Sequence, residues 1–315
     1  IEEEIKHYTE QFYGKTVLCN CDDPYESNFC YFFMKNFNKL HLKKLICTSY
    51  SGSKIDQIKN NNQITLDMFF DELKCSNDNQ GYVLVISKMP GKDGEEVDDE
   101  TIEAILLKKG TVKKLKGSGD FRTDECIKYL KQCDICCTNP PFSLFAELFS
   151  LLIKYRKQFL LIGNQNAITY KEIFPYIKEN KVWVGYRFGD MAFRVPADTE
   201  PRNTRFWIDE TGQKWRSLGN AMWLTNIDIE RRYHELKLTK YFDPKLYPKF
   251  DNFDGINVTR VADIPKDYDG IMGVPITYIK YHNGSQFEII GEANHGSDNE
   301  FDLFKPIVRI CLRES

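Results

Sequence analysis

The sequence predicts an α/β protein: a mostly parallel central sheet with helices on both faces and a smaller appended region. Three observations predict it. Apolar runs of strand length, TVLC at 16–19, KKLICTS at 43–49, DICCT at 134–138 and FLLIG at 159–163, recur along the chain. Helix-like stretches separate them, and strand, helix, strand is the grammar of parallel crossovers. The chain of 315 residues is 42% hydrophobic and 14% aromatic, enough to fill the core of two domains or of one large domain with a lobe.

In chain order, residues 1–13 predict a helix with Ile1, Ile5, Tyr8 and Phe12 on one stripe, ended by Gly14. The first strand runs into the polar turn NCDDPYES, and residues 26–38 form a helix with an aromatic face. After the second strand, 51–79 is polar, with three consecutive Asn at 60–62. GYVLVIS at 81–87 reads as a strand, MPGKDGEEVDDE at 89–100 as an acidic loop, and 98–109 as a helix that Asp98 or Asp99 caps. GDFRTDE at 119–125 precedes a short helix, and 145–158 is amphipathic. In 169–180 Thr169 and Glu172 have capping-box spacing. Further strands are expected at 181–186, 220–229, 274–281 and 286–291.

Composition excludes several classes. Lys plus Arg number 43 against 46 Asp plus Glu, so a wholly basic coat protein is ruled out, though a local basic face is not. No apolar run approaches the roughly 18 residues of a membrane span. Ile1 opens an acidic stretch, not a secretory signal. Several of the 10 Cys, such as Cys19 and Cys47, sit in apolar runs, as buried free thiols of a reducing compartment would. Their spacings make no paired zinc site, the five His form no HExxH, and His295 reads as a loop residue.

The chemistry concentrates at Asn139-Pro140-Pro141-Phe142, directly after an apolar strand. Open α/β sheets bind ligands beyond the carboxyl ends of their strands. The Asn139 amide oxygen and the Pro140 carbonyl form an acceptor pair that suits a planar NH2 group, and Phe142 offers a stacking face. An aromatic amine is a poor nucleophile because its lone pair is delocalised into the ring. Two acceptors hold it so that the lone pair faces a methyl donor, and positioning supplies most of the effect. A proline-rich turn that merely closes a strand is the bland alternative.

Asn-Pro-Pro-Phe resembles the catalytic motif of amino-methyltransferases that use S-adenosylmethionine. The wider text resembles the adenine-specific DNA methyltransferases of the EcoRI methylase type. It does so through CNCDDPYESNF at 19–29, GDFR at 119–122, CCTNPPFSLF at 136–145 and LIGNQNAITYKEIF at 161–174. FRVP at 193–196, LGNAMWLTN at 218–226, IPKDYDGIMGVP at 264–275 and FEIIG at 287–291 extend it over most of the chain. The resemblance implies a Rossmann-like methyltransferase fold and transfer to N6 of adenine in double-stranded DNA, with the base flipped out. It implies that Asn139 and Pro140 hold N6, with Pro141 stiffening the loop and Phe142 stacking the base. It also implies that Asp120 accepts from the cofactor's adenine beside Phe121.

The first loop departs from the family's usual Gly-rich form, with Asn20, Cys21, Asp22, Asp23 and Pro24 in its place. Asp22 or Asp23 is expected at the cofactor's ammonium, with Asn20 and Asn139 lining the same site. Strand two lacks the usual ribose acid, so Thr48, Ser49 or Tyr50 lines the site instead. Only 15 residues precede Thr16, and an additional cofactor element upstream is expected.

Phosphate contacts are expected from Lys113, Lys114, Lys116 and Arg122. Base reading is expected in 187–216, through Arg187, Arg194, Arg202, Arg205, Lys214 and Arg216, interleaved with Phe193, Phe206, Trp207 and Trp215. Acidic neighbours such as Asp209 make a salt-bridged surface the competing reading. The expected organisation is a catalytic domain over 1–229, with 187–216 as a recognition insertion, and a C-terminal recognition lobe over 230–315. RNA adenine, protein glutamine or an inactive DNA-binding module are the rival functions. A bacterial or phage-encoded monomer acting on DNA in restriction-modification is the working picture.

Overall fold

The computed structural model describes residues 1–50, 80–189, 191–195, 197–251, 253–293 and 305–310. The expectations for 51–79, Pro196 and His295 lie outside them. The chain divides into two compact units: Ile1–Asn164 with Trp223–Ile227, and Gln165–Met222 with Asp228–Ser315. Residues 165–222, expected with the catalytic domain, fall in the second unit.

The first unit is built on β1 (Thr16–Asn20), β2 (Lys44–Ser49), β3 (Tyr82–Ile86), β4 (Val112–Lys114), β5 (Ile135–Thr138) and β6 (Gln158–Asn164), in the order β4-β3-β2-β1-β5-β6. The central four are parallel, with Leu18 opposite both Ile46 and Cys136, and Cys137 opposite Leu160. β3 and β4 run antiparallel at one edge. Every residue of β1 and β5 is buried, as continuous apolar strands covered on both faces should be. Their starts are tied by Asp134, whose Oδ2 accepts the Thr16 N–H at 2.7 Å.

On the other side of the sheet's centre, Asn226 clamps β6. Its Oδ1 accepts the Phe159 N–H and its Nδ2 donates to the Lys157 carbonyl, each at 2.9 Å. Trp223, in the same short segment, meets Phe29 edge-on at 5.7 Å.

The helix Asn28–Lys35 starts at Ser27, whose Oγ accepts from the N–H groups of Phe29 and Cys30. It buries Phe29, Cys30, Phe33 and Met34. Asp98 caps the helix Asp99–Leu107 by accepting from Thr101 N at 2.7 Å, as expected. The helix Phe145–Lys154 buries Phe145, Leu148, Phe149 and Leu152. Phe145 lies where a side chain on Gly163 of β6 would stand, so only glycine allows this packing.

Among the described residues eight Cys are free thiols, and all but Cys21 are buried. Cys19, Cys47, Cys136 and Cys137 line the strands themselves.

The second unit holds β7 (Trp183–Gly189), β8 (Ala192–Arg194), β9 (Phe206–Ile208), β10 (Lys214–Ser217) and β11 (Ala221–Thr225), the last ending in the first unit. β8-β10-β9 form an antiparallel sheet. β12 (Gly255–Asn257), β13 (Ile271–Gly273), β14 (Phe287–Ala293) and β15 (Lys305–Ile310) form a mixed sheet, ordered β12-β13-β15-β14, in which β12 and β13 run parallel.

Three expectations change. Residues 1–13 form two short helices, Glu2–Ile5 and Thr9–Phe12, yet Ile5, Tyr8 and Phe12 are all buried. Residues 276–281 form a 3₁₀-helix, not a strand: Pro275 sets its entry, and burial of Tyr278 and Ile279 suits a three-residue turn. The capping box fails because Thr169 ends a 3₁₀-helix and its hydroxyl donates to the Asn166 carbonyl. The helix starts only at Phe174, where Pro175 fits the first turn.

Candidate active site

The carboxyl ends of β1, β2 and β5 meet on one rim. Cys21, the first residue past β1, has φ +74°, a left-handed conformation that costs energy in a residue with a Cβ. It turns the chain so that the Asp22 N–H donates to the Thr48 carbonyl at 2.9 Å. Asn20 and Thr48 face each other across the strands, and Thr48 Oγ1 donates to Asn20 Oδ1 at 2.8 Å.

The two adjacent acids are used differently. Asp22 is 5% exposed, and its oxygens accept from Ser27 Oγ at 2.7 Å and Thr138 Oγ1 at 2.6 Å. Burial pushes its carboxyl up to about 7, against the opposing bonds from Thr138 and Ser27. Asp23 Oδ1 accepts from Tyr25 N at 2.8 Å, but its buried Oδ2 has no partner among the described residues. A buried carboxylate oxygen without a donor is costly unless a ligand satisfies it. The buried hydroxyl of Ser49, at the end of β2, is likewise without a partner among the described residues.

The Gly119-Asp120-Phe121-Arg122 loop reaches the same rim by close backbone approach. Gly119, at φ +79°, and Gly81 both press on the Ser49 carbonyl so closely that no Cβ fits at either. Phe121 is 2% exposed. The Asp120 carboxylate is gripped by Arg122, through Nε at 2.9 Å and Nη2 at 2.6 Å, and the Arg122 hydrogen bonds hold it below the usual range. Arg122 Nη1 also bonds Glu147 at 2.9 Å.

Thr138 ends β5, and Asn139 is exposed beside it. Pro140 is buried, Pro141 is exposed, and Phe142 is 44% exposed at the start of the 3₁₀-helix Phe142–Leu144. The Leu144 N–H donates to the Pro141 carbonyl at 2.9 Å, which closes the loop. Among the described residues nothing engages the Asn139 amide or the Pro140 carbonyl. The rim thus offers two free acceptors and an open aromatic face next to an orphaned carboxylate and hydroxyl. Those groups fit S-adenosylmethionine, which would bring an ammonium to Asp23, a ribose hydroxyl to Ser49 and an adenine edge to Asp120 and Phe121.

The cations expected at DNA fall into two groups. Lys113 and Lys116 are exposed on and after β4, and Lys114 is half-buried. Arg122, expected at a phosphate, is occupied by Asp120 and Glu147. In the second unit Arg187, Arg194, Arg202 and Arg205 are exposed and Arg216 is half-buried. Arg194, Trp215 and Trp207 are cross-strand partners on one face of the small sheet. The Arg194 guanidinium lies 5.4 Å from the Trp215 ring, and the two indoles are parallel within 6°. Lys214 differs: its ammonium donates to the carbonyls of Ala197 and Thr199, at 2.5 and 2.9 Å, and ties that loop down. Asp209 is pulled down to about 2 by bonds from Thr211 and Trp215, so it organises the hairpin between β9 and β10.

Sequence reasoning passed over Ser27, Thr138 and Glu147. Ser27 carries a readable signal, a Ser just before an aromatic helix. Thr138 and Glu147 matter only through partners 116 and 25 residues away, which no local pattern reveals.

The family model of the adenine-specific methyltransferase EcoRI matches residues 1–307. The type II methyltransferase M.EcoRI of Escherichia coli is 44% identical over 294 residues, covering 92% of this chain and 82% of the relative. M.MgeORF184P of Mycoplasma genitalium is 37% identical and M.MpnI of Mycoplasma pneumoniae 33% identical, each covering 92% of this chain and 79% of the relative. No solved structure gives a significant match.

Proposed function

The chain belongs to the adenine-specific EcoRI methyltransferase family, and from that premise we propose how its residues move a methyl group from S-adenosylmethionine to N6 of adenine in duplex DNA. One observation carries the assignment. Asn139 and the Pro140 carbonyl stand without partners among the described residues at the end of β5, on the rim that holds Asp23, Ser49 and Asp120.

The cofactor supplies a methyl carried on a sulfonium. Asp23 holds its ammonium, Ser49 its ribose, and Asp120 and Phe121 its adenine. Asn139 Oδ1 and the Pro140 carbonyl accept the two N6 protons of the target adenine, which turns the nitrogen lone pair toward the methyl. With the cofactor bound, its sulfonium would supply the methyl to N6, the sulfur–methyl bond breaking as the N6–carbon bond forms, and a neutral thioether and one N6 proton would leave. Both acceptors gain strength as N6 acquires positive character, so they favour the transition state over the ground state. Phe142, exposed beside them, stacks on the extruded base.

Recognition falls to the arginine-bearing segment 187–216 and to the C-terminal lobe 230–315. The buried thiols suit a bacterial cytoplasm, and no described helix is long and apolar enough to cross a membrane. Incubation with duplex DNA and S-adenosylmethionine, followed by methylation-sensitive long-read sequencing, tests this reading. N6-methyladenine in one short sequence is expected. Methyl transfer to RNA or a glutamine peptide, with none to DNA, would overturn it.

A further inference from the structure

The β1–β5 ladder pairs Val17 with Ile135 and Leu18 with Cys136, and its register goes no further. Two residues later, at the level where Asn139 has to be placed, a side chain takes over. Thr138 Oγ1 reaches both the Asn20 carbonyl and Asp22 Oδ2 on the neighbouring strand and its loop. A hydroxyl has one proton, so it donates to one acceptor at a time, and either bond joins β5 to β1.

The bond does not end at Asp22. The second oxygen of Asp22 accepts from Ser27, which caps the helix Asn28–Lys35, and the Asp22 N–H donates to the Thr48 carbonyl. Thr48 in turn donates to Asn20 Oδ1. Asn20, Asp22, Thr48 and Thr138 are each 5% exposed or less. A continuous hydrogen-bonded network therefore runs, out of water, from the neighbour of Asn139 through the first cofactor loop to β2. Such networks hold geometry tightly because each missing bond leaves a buried group unsatisfied.

We propose that the Thr138 hydroxyl is a positioning residue for methyl transfer: by joining the end of β5 to Asn20 and Asp22, it sets Asn139 at a fixed place relative to the loop that holds the cofactor. Thr138 touches neither reactant. It acts through Asn139 on one side and Asp22 on the other, so that the base and the methyl donor are aligned by one piece of structure. Both reactants are still bound when the hydroxyl is removed, but in a looser relative geometry, and in-line transfer is sensitive to displacements of about 1 Å. This inference rests on the function proposed above.

The test uses the full chain, S-adenosylmethionine and a duplex carrying the site found by sequencing. Thr138→Val keeps the shape and removes the hydroxyl. Its single-turnover rate at saturating DNA and cofactor is expected to fall about tenfold, while the Kd for S-adenosylmethionine changes less than about threefold. Thr138→Ser, which keeps the hydroxyl, should recover most of the rate. Asp98→Ala is the structural control. It removes the cap of the helix Asp99–Leu107, outside this network, and should lower Tm while leaving the single-turnover rate within about twofold. Should Thr138→Val fail to fold, Thr138→Cys, a weaker donor of similar shape, takes its place with about a threefold loss. Parental turnover in the variant without the hydroxyl overturns the inference, as does an equal loss in Thr138→Ser or a loss confined to KM. A parent chain that methylates no adenine in DNA refutes instead the function on which it rests.

Discussion

Arg122 closes on Asp120 along one edge, with Nε 2.9 Å from Oδ1 and Nη2 2.6 Å from Oδ2, while its third nitrogen reaches Glu147. The carboxylate is thereby aimed and kept ionised, and Arg122 is withdrawn from the phosphates it was expected to meet. Asp120→Ala should weaken S-adenosylmethionine binding about tenfold, the scale of one hydrogen bond to a charged acceptor. Arg122→Ala should weaken it less, about threefold, because the acceptor stays but is no longer oriented. Calorimetry on both variants decides, and an unchanged affinity in Asp120→Ala removes that residue from the cofactor site.

Asp22 makes stability depend on pH. Burial raises its carboxyl from an ordinary value of 3.8 to about 7 in the folded chain. Between those values the folded state binds the proton and the unfolded state does not, so stability falls as pH rises through this window. The slope approaches about 1.4 kcal/mol per pH unit at its steepest. Urea unfolding from pH 5 to 8 should show the parent losing stability relative to Asp22→Asn, which has no proton to lose. Parallel curves for the two chains would contradict the burial argument.

Asn139→Ala removes an oriented acceptor and leaves the prolines and β5 in place. Single-turnover methylation should drop by about 10²-fold or more, as for other preorganised contacts to developing charge. Cofactor affinity and Tm should barely move, since the side chain is exposed and bonds no described group. A variant that methylates near the parental rate would refute the amine-orienting role.

Lys214 and Arg194 share a small sheet but should fail differently. Arg194→Ala removes an exposed cation, and the dependence of DNA affinity on salt should lose about one unit of slope. Lys214→Ala releases the Ala197 and Thr199 carbonyls, so it should loosen the local fold with little change of slope. Binding titrations at several salt concentrations, beside hydrogen exchange over 195–217, separate the two.

Much of the first unit was legible because its evidence is local. Four buried parallel strands appear as unbroken apolar runs, and Asn139-Pro140-Pro141-Phe142 follows one of them directly. What stayed hidden depends on distant partners. Asp22 and Asp23 look alike in the text, and bonds from Ser27 and from Thr138, 116 residues on, separate an anchored acid from an open one. Arg122 and Lys214 read as free cations until Glu147 and the Ala197 carbonyl appear beside them. Residues 274–281 have strand composition, but Pro275 and burial of Tyr278 favour a tight helical turn. The return of Trp223–Ile227 to the first unit also depends on a distant partner, through the clamp of Asn226 on β6.

The thiols that line β1, β2 and β5 give the first unit an internal clock. Burial lifts Cys19, Cys47, Cys136 and Cys137 far from the thiolate form, and even Cys21 at the rim is pushed up to about 12. At these positions an alkylating reagent at neutral pH meets almost no thiolate until the sheet opens. Covalent tagging of these four positions, followed peptide by peptide in a mass spectrometer, therefore counts openings of the sheet that carries Asn139. Saturating S-adenosylmethionine at about 100 times its Kd should slow that clock roughly a hundredfold, since a ligand held only by the closed form holds it closed. Ligand occupancy would then be recorded permanently in carbon–sulfur bonds, with no radioactive methyl group and no DNA present.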